Sequence, residues 1–281
     1  MTNKMQKLGE GLQQRFGFEF LCETRTEDGY PVVLIRFADL KPPHGFSIKV
    51  KLSWKSFGIR FTQDSFSKHL VQDMGLPDIG KRTVATSFVM ALKQYGGRLD
   101  FKVNGAEIDP QDMQCWPEDW TTLDINYDRL GVEPDLEQFL DGGSDVFQQF
   151  LDYIGIIVSL LPVEKDSYEE PLEGLPEGML VREEVNRYER NRLNREACIS
   201  IKGTTCQVCG FNFAEKFGEL GDGFIHVHHI IPVSQLGEGY VVDPSTDLVP
   251  VCANCHSMMH RKDPPITVEE LKELIASCGK S

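Results

Sequence analysis

Two short cysteine pairs hold the most specific chemistry in this chain. Cys206-Gln-Val-Cys209 and Cys252-Ala-Asn-Cys255 are C-x-x-C knuckles with 42 residues between them. Each knuckle offers two thiolates from a tight turn, and two knuckles complete a tetrahedral sulfur shell suited to Zn2+. A shell closed by four cysteines keeps no open position, so that zinc is expected to be structural. Cys22, Cys115, Cys198 and Cys278 have no such spacing and read as core or surface thiols. Five of the seven histidines lie inside or just beyond the same frame: His226, His228, His229, His256 and His260. On a strand, His228 and His229 point to opposite faces, so both serve one site only at a strand end or bend; Pro232 just downstream is consistent with such an end. His226 shares a strand face with His228. His256 and His260, four apart, project from one face if their segment is helical. Imidazoles gathered in this way can hold a divalent cation and, with a pKa near ~6.5, accept a proton from water near neutral pH.

The run Ile225-His-Val-His-His-Ile-Ile-Pro-Val, then Asp247-Leu-Val-Pro-Val-Cys-Ala-Asn-Cys-His and Met258-Met-His260, resembles the HNH (ββα-metal) nuclease motif. The closest likeness is to the cysteine-bracketed form in McrA-like restriction endonucleases. It covers residues 181–275, whereas residues 1–160 resemble no known family. The resemblance implies that His229 is the general base, that His228 and His256 are metal ligands, and that His260 is a further ligand or a phosphate contact. Asp247 stands where many members carry Asn, which helps to hold the base. An ionised Asp accepts hydrogen bonds but donates none, so Asp247 is expected to orient a histidine N–H or to lend charge to the metal. The resemblance further implies DNA as substrate, Zn2+ as structural metal and Mg2+, Mn2+ or Ni2+ as catalytic metal. It also implies a role in restriction or anti-phage defence, alone or with further subunits of a defence system. One site per chain would nick a duplex unless two chains pair as a homodimer.

A phosphodiester resists attack because it is anionic and its leaving oxygen departs as an alkoxide. A divalent cation touching both oxygens offsets that charge, and general base catalysis adds about 10²–10⁴-fold. Two other classes fit part of the pattern. A non-catalytic zinc module binding nucleic acid or protein needs the cysteines but not four histidines together. A redox protein using its C-x-x-C pairs predicts thiols that titrate without releasing zinc.

The elements that must position these groups belong to a chain of 281 residues, long enough for two domains of ordinary size. Apolar residues make up 41%, enough for a real core. No apolar run approaches the ~20 residues needed to cross a bilayer, and Met1 to Glu10 lacks the apolar stretch of a signal peptide, so a soluble cytoplasmic protein without a membrane partner is expected. The net charge of −14 is unevenly spread. Residues 1–105 carry 16 basic and 10 acidic side chains, residues 106–180 carry 2 and 19, and residues 181–281 carry 11 and 14. A nearly neutral nuclease region gains little general attraction for a polyanion, so capture is expected to fall to the basic first third or to a partner.

The fold class read from this pattern is α+β: a mixed α/β domain over 1–162 (basic 1–105, acidic 106–162), a Pro- and acid-rich linker over 163–180, and the ββα-metal domain with its structural zinc over 181–281. Ile48, Val50, Leu52 and Trp54 alternate with Lys49, Lys51, Ser53 and Lys55, the mark of a half-buried strand. This places Trp54 in the core and makes Lys49, Lys51 and Lys55 a candidate nucleic-acid face. Leu99, Phe101 and Val103 repeat the alternation before an Asn104-Gly105 hairpin turn. Val84, Phe88, Ala91, Leu92 and Tyr95 recur at helical spacing. A further helix is expected over Val181 to Ala197, whose Arg187 and Arg190 are candidate phosphate contacts.

Overall fold

A computed structural model of the chain describes residues 2–162, 192–231, 240–262 and 264–278. It divides into two compact units on either side of residues 164–165.

The first unit has seven strands, with apolar alternation clearest in the third, fourth and seventh: β1 (Phe20–Glu27), β2 (Tyr30–Phe37), β3 (Phe46–Ser53), β4 (Ser56–Gln63), β5 (Arg98–Val103), β6 (Ala106–Glu107) and β7 (Leu123–Leu130). They form one antiparallel sheet in the order β1-β2-β3-β4-β7-β5-β6. Asn104 and Gly105, with φ of 53° and 78°, make the tight β5–β6 turn that their types suggest. Asp28 and Gly29, with φ of 53° and 81°, do the same between β1 and β2.

Five helices accompany the sheet: α1 (Thr2–Phe16), α2 (Lys68–Met74), α3 (Ile79–Gln94), α4 (Leu136–Leu140) and α5 (Asp145–Leu160). The Asp78 carboxylate caps α3 by accepting from the Lys81 N–H at 2.8 Å, and the Ser144 hydroxyl caps α5 at the Phe147 N–H, 3.2 Å. Helix α5 is apolar on nearly all sides and correspondingly buried from Gln149 to Leu160. It packs on α3 where Gly155 leaves room for Phe88; a Cβ on Gly155 would come within 2.5 Å of that ring.

The acidic segment is integral to this unit. Residues 106–162 supply β7, inserted between β4 and β5, and α5, whose Tyr153 hydroxyl donates to the Ile125 carbonyl at 2.7 Å. Trp116, Trp120, Phe139 and Phe150 from the same segment are buried. Trp54 departs from expectation: it is 73% exposed. Strand β3 ends at Ser53, which pairs with Ser56, so Trp54 and Lys55 form the hairpin turn and alternation no longer applies to them.

In the second unit the order is α6 (Arg192–Lys202), α7 (Phe213–Phe217), a 3-10 turn (Gly218–Gly221), β8 (His226–His229), β9 (Leu248–Val251), α8 (Ala253–Met259) and α9 (Val268–Cys278). Strands β8 and β9 pair antiparallel, with His228 opposite Val249 and His229 opposite Leu248. A small core of Cys198, Ile199, Ile225, Val227, Val251, Met259 and Leu271 joins them to the helices. The expected linker over 163–180 and the start of the helix expected from Val181 lie outside the described residues. No helix among the described residues is long and apolar enough to cross a membrane.

Candidate metal centres and active site

The knuckle cysteines come from separate turns that the β8–β9 ribbon brings together. The Gln207 N–H donates to the Pro250 carbonyl at 2.9 Å, which ties the first knuckle to β9 directly ahead of the second. Cys252 caps helix α8, its sulfur accepting from the Cys255 N–H at 3.4 Å. All four Sγ atoms lie within 4.8 Å of one another. The Cys209 and Cys252 sulfurs are 3.7 Å apart, against about 3.8 Å for the edge of a tetrahedron with Zn–S bonds of ~2.3 Å.

The thiols respond to this crowding. Burial opposes the Cys206 thiolate, yet N–H groups of Cys209, Cys252 and Val208 hold its pKa down at about 7. Burial and the neighbouring thiols push Cys255 up. Four sulfurs this close cannot all ionise without a cation among them, so the donor set fits zinc in both geometry and charge. Cys22 and Cys198 differ: burial lifts each to about 12, as befits inert core thiols.

The second cluster sits on the other part of the same frame. Ligand atoms of His228, His256 and His260 all lie within 4.8 Å of one another. His228 comes from β8; His256 and His260 come from α8 and its C-cap, stacked one turn apart as their four-residue spacing requires. The rings of His228 and His260 lie 5.0 Å apart, those of His256 and His260 4.7 Å apart. His228 is buried, His256 half-buried and His260 exposed, so the cluster opens towards solvent on one side. Three imidazoles in this arrangement suit a divalent cation with positions left for other ligands. His226, on the same strand face as His228, brings its ring to 5.1 Å from that of His256.

His229 is the last residue of β8, the strand end that sequence reasoning required. It is half-buried, and alternation turns it to the face opposite His228. The backbone there is fixed by the Ile230 N–H donating to the Asp247 carbonyl at 2.8 Å. The Asp247 carboxylate turns to its own loop: one oxygen accepts from the Tyr240 hydroxyl at 2.9 Å and the Asp243 N–H at 2.8 Å, the other from the Thr246 hydroxyl at 3.0 Å. Asp247 thus touches the histidine strand through its main chain, and its side chain holds the loop that leads into β9.

The candidate nucleic-acid contacts are dispersed. Lys49 pairs with Glu27 at 3.1 Å and Lys51 with Asp28 at 2.9 Å on the solvent face of the first unit's sheet. Lys55 places its ammonium 5.6 Å from the centre of the Trp54 ring. Arg187 and Arg190 lie outside the described residues. Sequence reasoning did not find the braces around the ribbon. Arg195 donates to the carbonyls of Gly223 and Ile225 at 3.2 and 3.1 Å, and Lys202 to that of Leu248. Both look like ordinary helix-surface cations in sequence, and only the turn of α6 against the ribbon gives them this task.

A ββα unit with one four-sulfur and one three-imidazole cluster defines the class of metal-bearing domain. Residues 206–262 match the family model described as HNH endonuclease, and the chain therefore carries an HNH domain of nuclease type in its C-terminal part. That class of domain implies a nucleic acid as substrate. No curated protein and no solved structure matches the chain, and the first unit matches no family model.

Proposed function

We propose that this chain is a metal-dependent DNA endonuclease that hydrolyses phosphodiester bonds, with His229 as general base. The observation that carries this reading is the convergence of His228, His256 and His260 beside a four-cysteine clamp. A module that used zinc only for shape would need the clamp alone. In this reading Cys206, Cys209, Cys252 and Cys255 hold a structural Zn2+, and His228, His256 and His260 hold a catalytic cation such as Mg2+, Mn2+ or Ni2+. When bound, that cation would supply Lewis-acid chemistry, offsetting the charge that develops on the scissile phosphate and its leaving group.

The remaining work falls to the chain. The His229 imidazole accepts a proton from the attacking water, at a strand end fixed by the Ile230–Asp247 backbone bond. Asp247 acts as a positioning residue, holding the loop with Tyr240 and Thr246. The first unit selects the target, with Lys49, Lys51 and Lys55 as its candidate phosphate contacts, and Arg187 and Arg190 are those of the second unit. Of the three lysines, Lys55 alone has no carboxylate partner among the described residues, and so is the strongest of them. The two-unit layout suits restriction or anti-phage defence, with the second unit cutting what the first selects.

The test is cleavage of plasmid, single-stranded and modified DNA by wild type and His229→Ala across several divalent cations. The expected outcome is a loss of cleavage of about 10²–10⁴-fold with zinc content and DNA binding retained. Wild-type protein that binds zinc and DNA but never nicks any of these substrates would return the chain to the class of non-catalytic zinc modules.

A further inference from the structure

The second unit carries an aromatic ridge that neither metal cluster uses. Phe211, Phe213 and Phe217 pack on one another with ring centres 4.8 to 6.4 Å apart, and Phe213 meets Phe224 edge to face at 4.7 Å. From Phe224 the ridge continues to His226 at 6.0 Å, and from His226 to His256 of the imidazole cluster at 5.1 Å. Its outer members are not core residues: Phe224 is 50% exposed and Phe217 54%.

The exposure of Phe224 is built in. It follows Gly223, whose φ of +66° suits glycine. Arg195 clamps the segment on both sides of the ring through the carbonyls of Gly223 and Ile225, at 3.2 and 3.1 Å. A large ring in water on a fixed backbone, two ring contacts from a metal ligand, is suited to receive another flat surface.

We infer that Phe224 is a nucleobase-stacking platform, and that the substrate presents an unstacked base one to a few nucleotides from the scissile phosphate. This deepens the endonuclease reading and rests on it for the placement of the phosphate. The distance fits: contacts of 6.0 Å to His226 and 5.1 Å from there to His256 keep Phe224 within at most about three base steps of that ligand at ~3.4 Å rise each. The local charge does not single out phosphate capture, because Glu219 and Asp222 precede the ring in sequence and the nearby Arg195 is already engaged by the Gly223 and Ile225 carbonyls and by Glu196 at 2.6 Å. A base offers its face only when it leaves the helical stack, so single strands, gaps and mismatched duplexes are favoured over a uniform duplex.

The experiment uses the full zinc-loaded chain and oligonucleotides carrying 2-aminopurine, whose emission falls on stacking. Wild type is expected to quench the probe, Phe224→Trp to quench it at least as well, and Phe224→Leu to lose the quenching with affinity down about tenfold. The ratio of wild-type to Phe224→Leu affinity is expected to stay constant as salt rises, since no phosphate contact is removed. Leu220→Ala, at an exposed neighbour without a ring, is expected to match wild type. Equal quenching by wild type and Phe224→Leu overturns the inference, as does a dimer in solution that buries Phe224. Plasmid nicking is read separately. A nuclease whose Phe224→Leu variant binds like wild type sinks the platform alone, whereas a protein that quenches but never nicks keeps the platform and loses the enzyme.

Discussion

The two units hold themselves together by different means. The first has a large interior: Trp120, Tyr127, Tyr153, Phe57, Phe88, Phe101, Phe139 and Phe150 are all essentially without solvent contact. The second has a two-stranded ribbon, short helices and a small core to which the knuckle cysteines Cys206, Cys252 and Cys255 themselves belong. Burial of apolar surface suffices for the former. A core of the latter size is marginal, and such units commonly draw folding free energy from metal ligation. The unit with the HNH domain is therefore expected to depend on metal ligation for its shape, and the unit that surrounds no metal cluster among its described residues is not.

The largest test of this contrast is Cys206→Ser. It is expected to release zinc and to abolish the cooperative melting of the second unit, while the first keeps its transition in calorimetry. Loss of both transitions together would sink the idea that only one unit leans on metal. Next comes Phe88→Ala, which removes the ring that fills the space over Gly155. A loss of about 3–5 kcal/mol in the first unit's denaturant stability is expected, with bound zinc unchanged.

A smaller effect is expected from Tyr127→Phe. The Tyr127 hydroxyl donates to Gln149 Oε1 at 2.8 Å, and both residues are fully buried. Leaving that acceptor without a donor should cost about 1–3 kcal/mol by urea titration. The smallest belongs to Arg60→Ala on the solvent face. Its pair with Asp128 at 2.6 Å joins two side chains 40% and 42% exposed, and it also donates to the Ile59 and Tyr127 carbonyls at 2.9 and 3.0 Å, so about 1 kcal/mol should be lost, with the ion-pair share falling at high salt. A large loss there would mean that the charged face, rather than the interior, sustains the first unit.

The parts of this molecule that were legible beforehand are those in which a few adjacent residues carry the whole signal. The C-x-x-C spacing, the i to i+4 step from His256 to His260, the Asn104-Gly105 turn and the alternation of β3 are each local. Trp54 shows where that reasoning stops, since alternation through Ser53 gives no notice that the chain turns there. Asp247 shows the same for the site. Its position matches a motif, but Tyr240 and Asp243 determine where its carboxylate points, and nothing in the motif mentions them.

The sequence alone determined that this chain groups four thiols and a set of imidazoles in one short stretch, because ligand type and short-range spacing already constrain coordination chemistry, and the resemblance to the HNH motif implied the ββα frame. Only the tertiary structure decided which imidazoles meet, that the acidic segment is the middle of a sheet, that Lys49 and Lys51 face carboxylates, and that Phe224 stands in water beside the cluster. Those outcomes depend on strand register and on packing between residues distant in the chain, and such contacts leave no mark in the order of neighbouring residues.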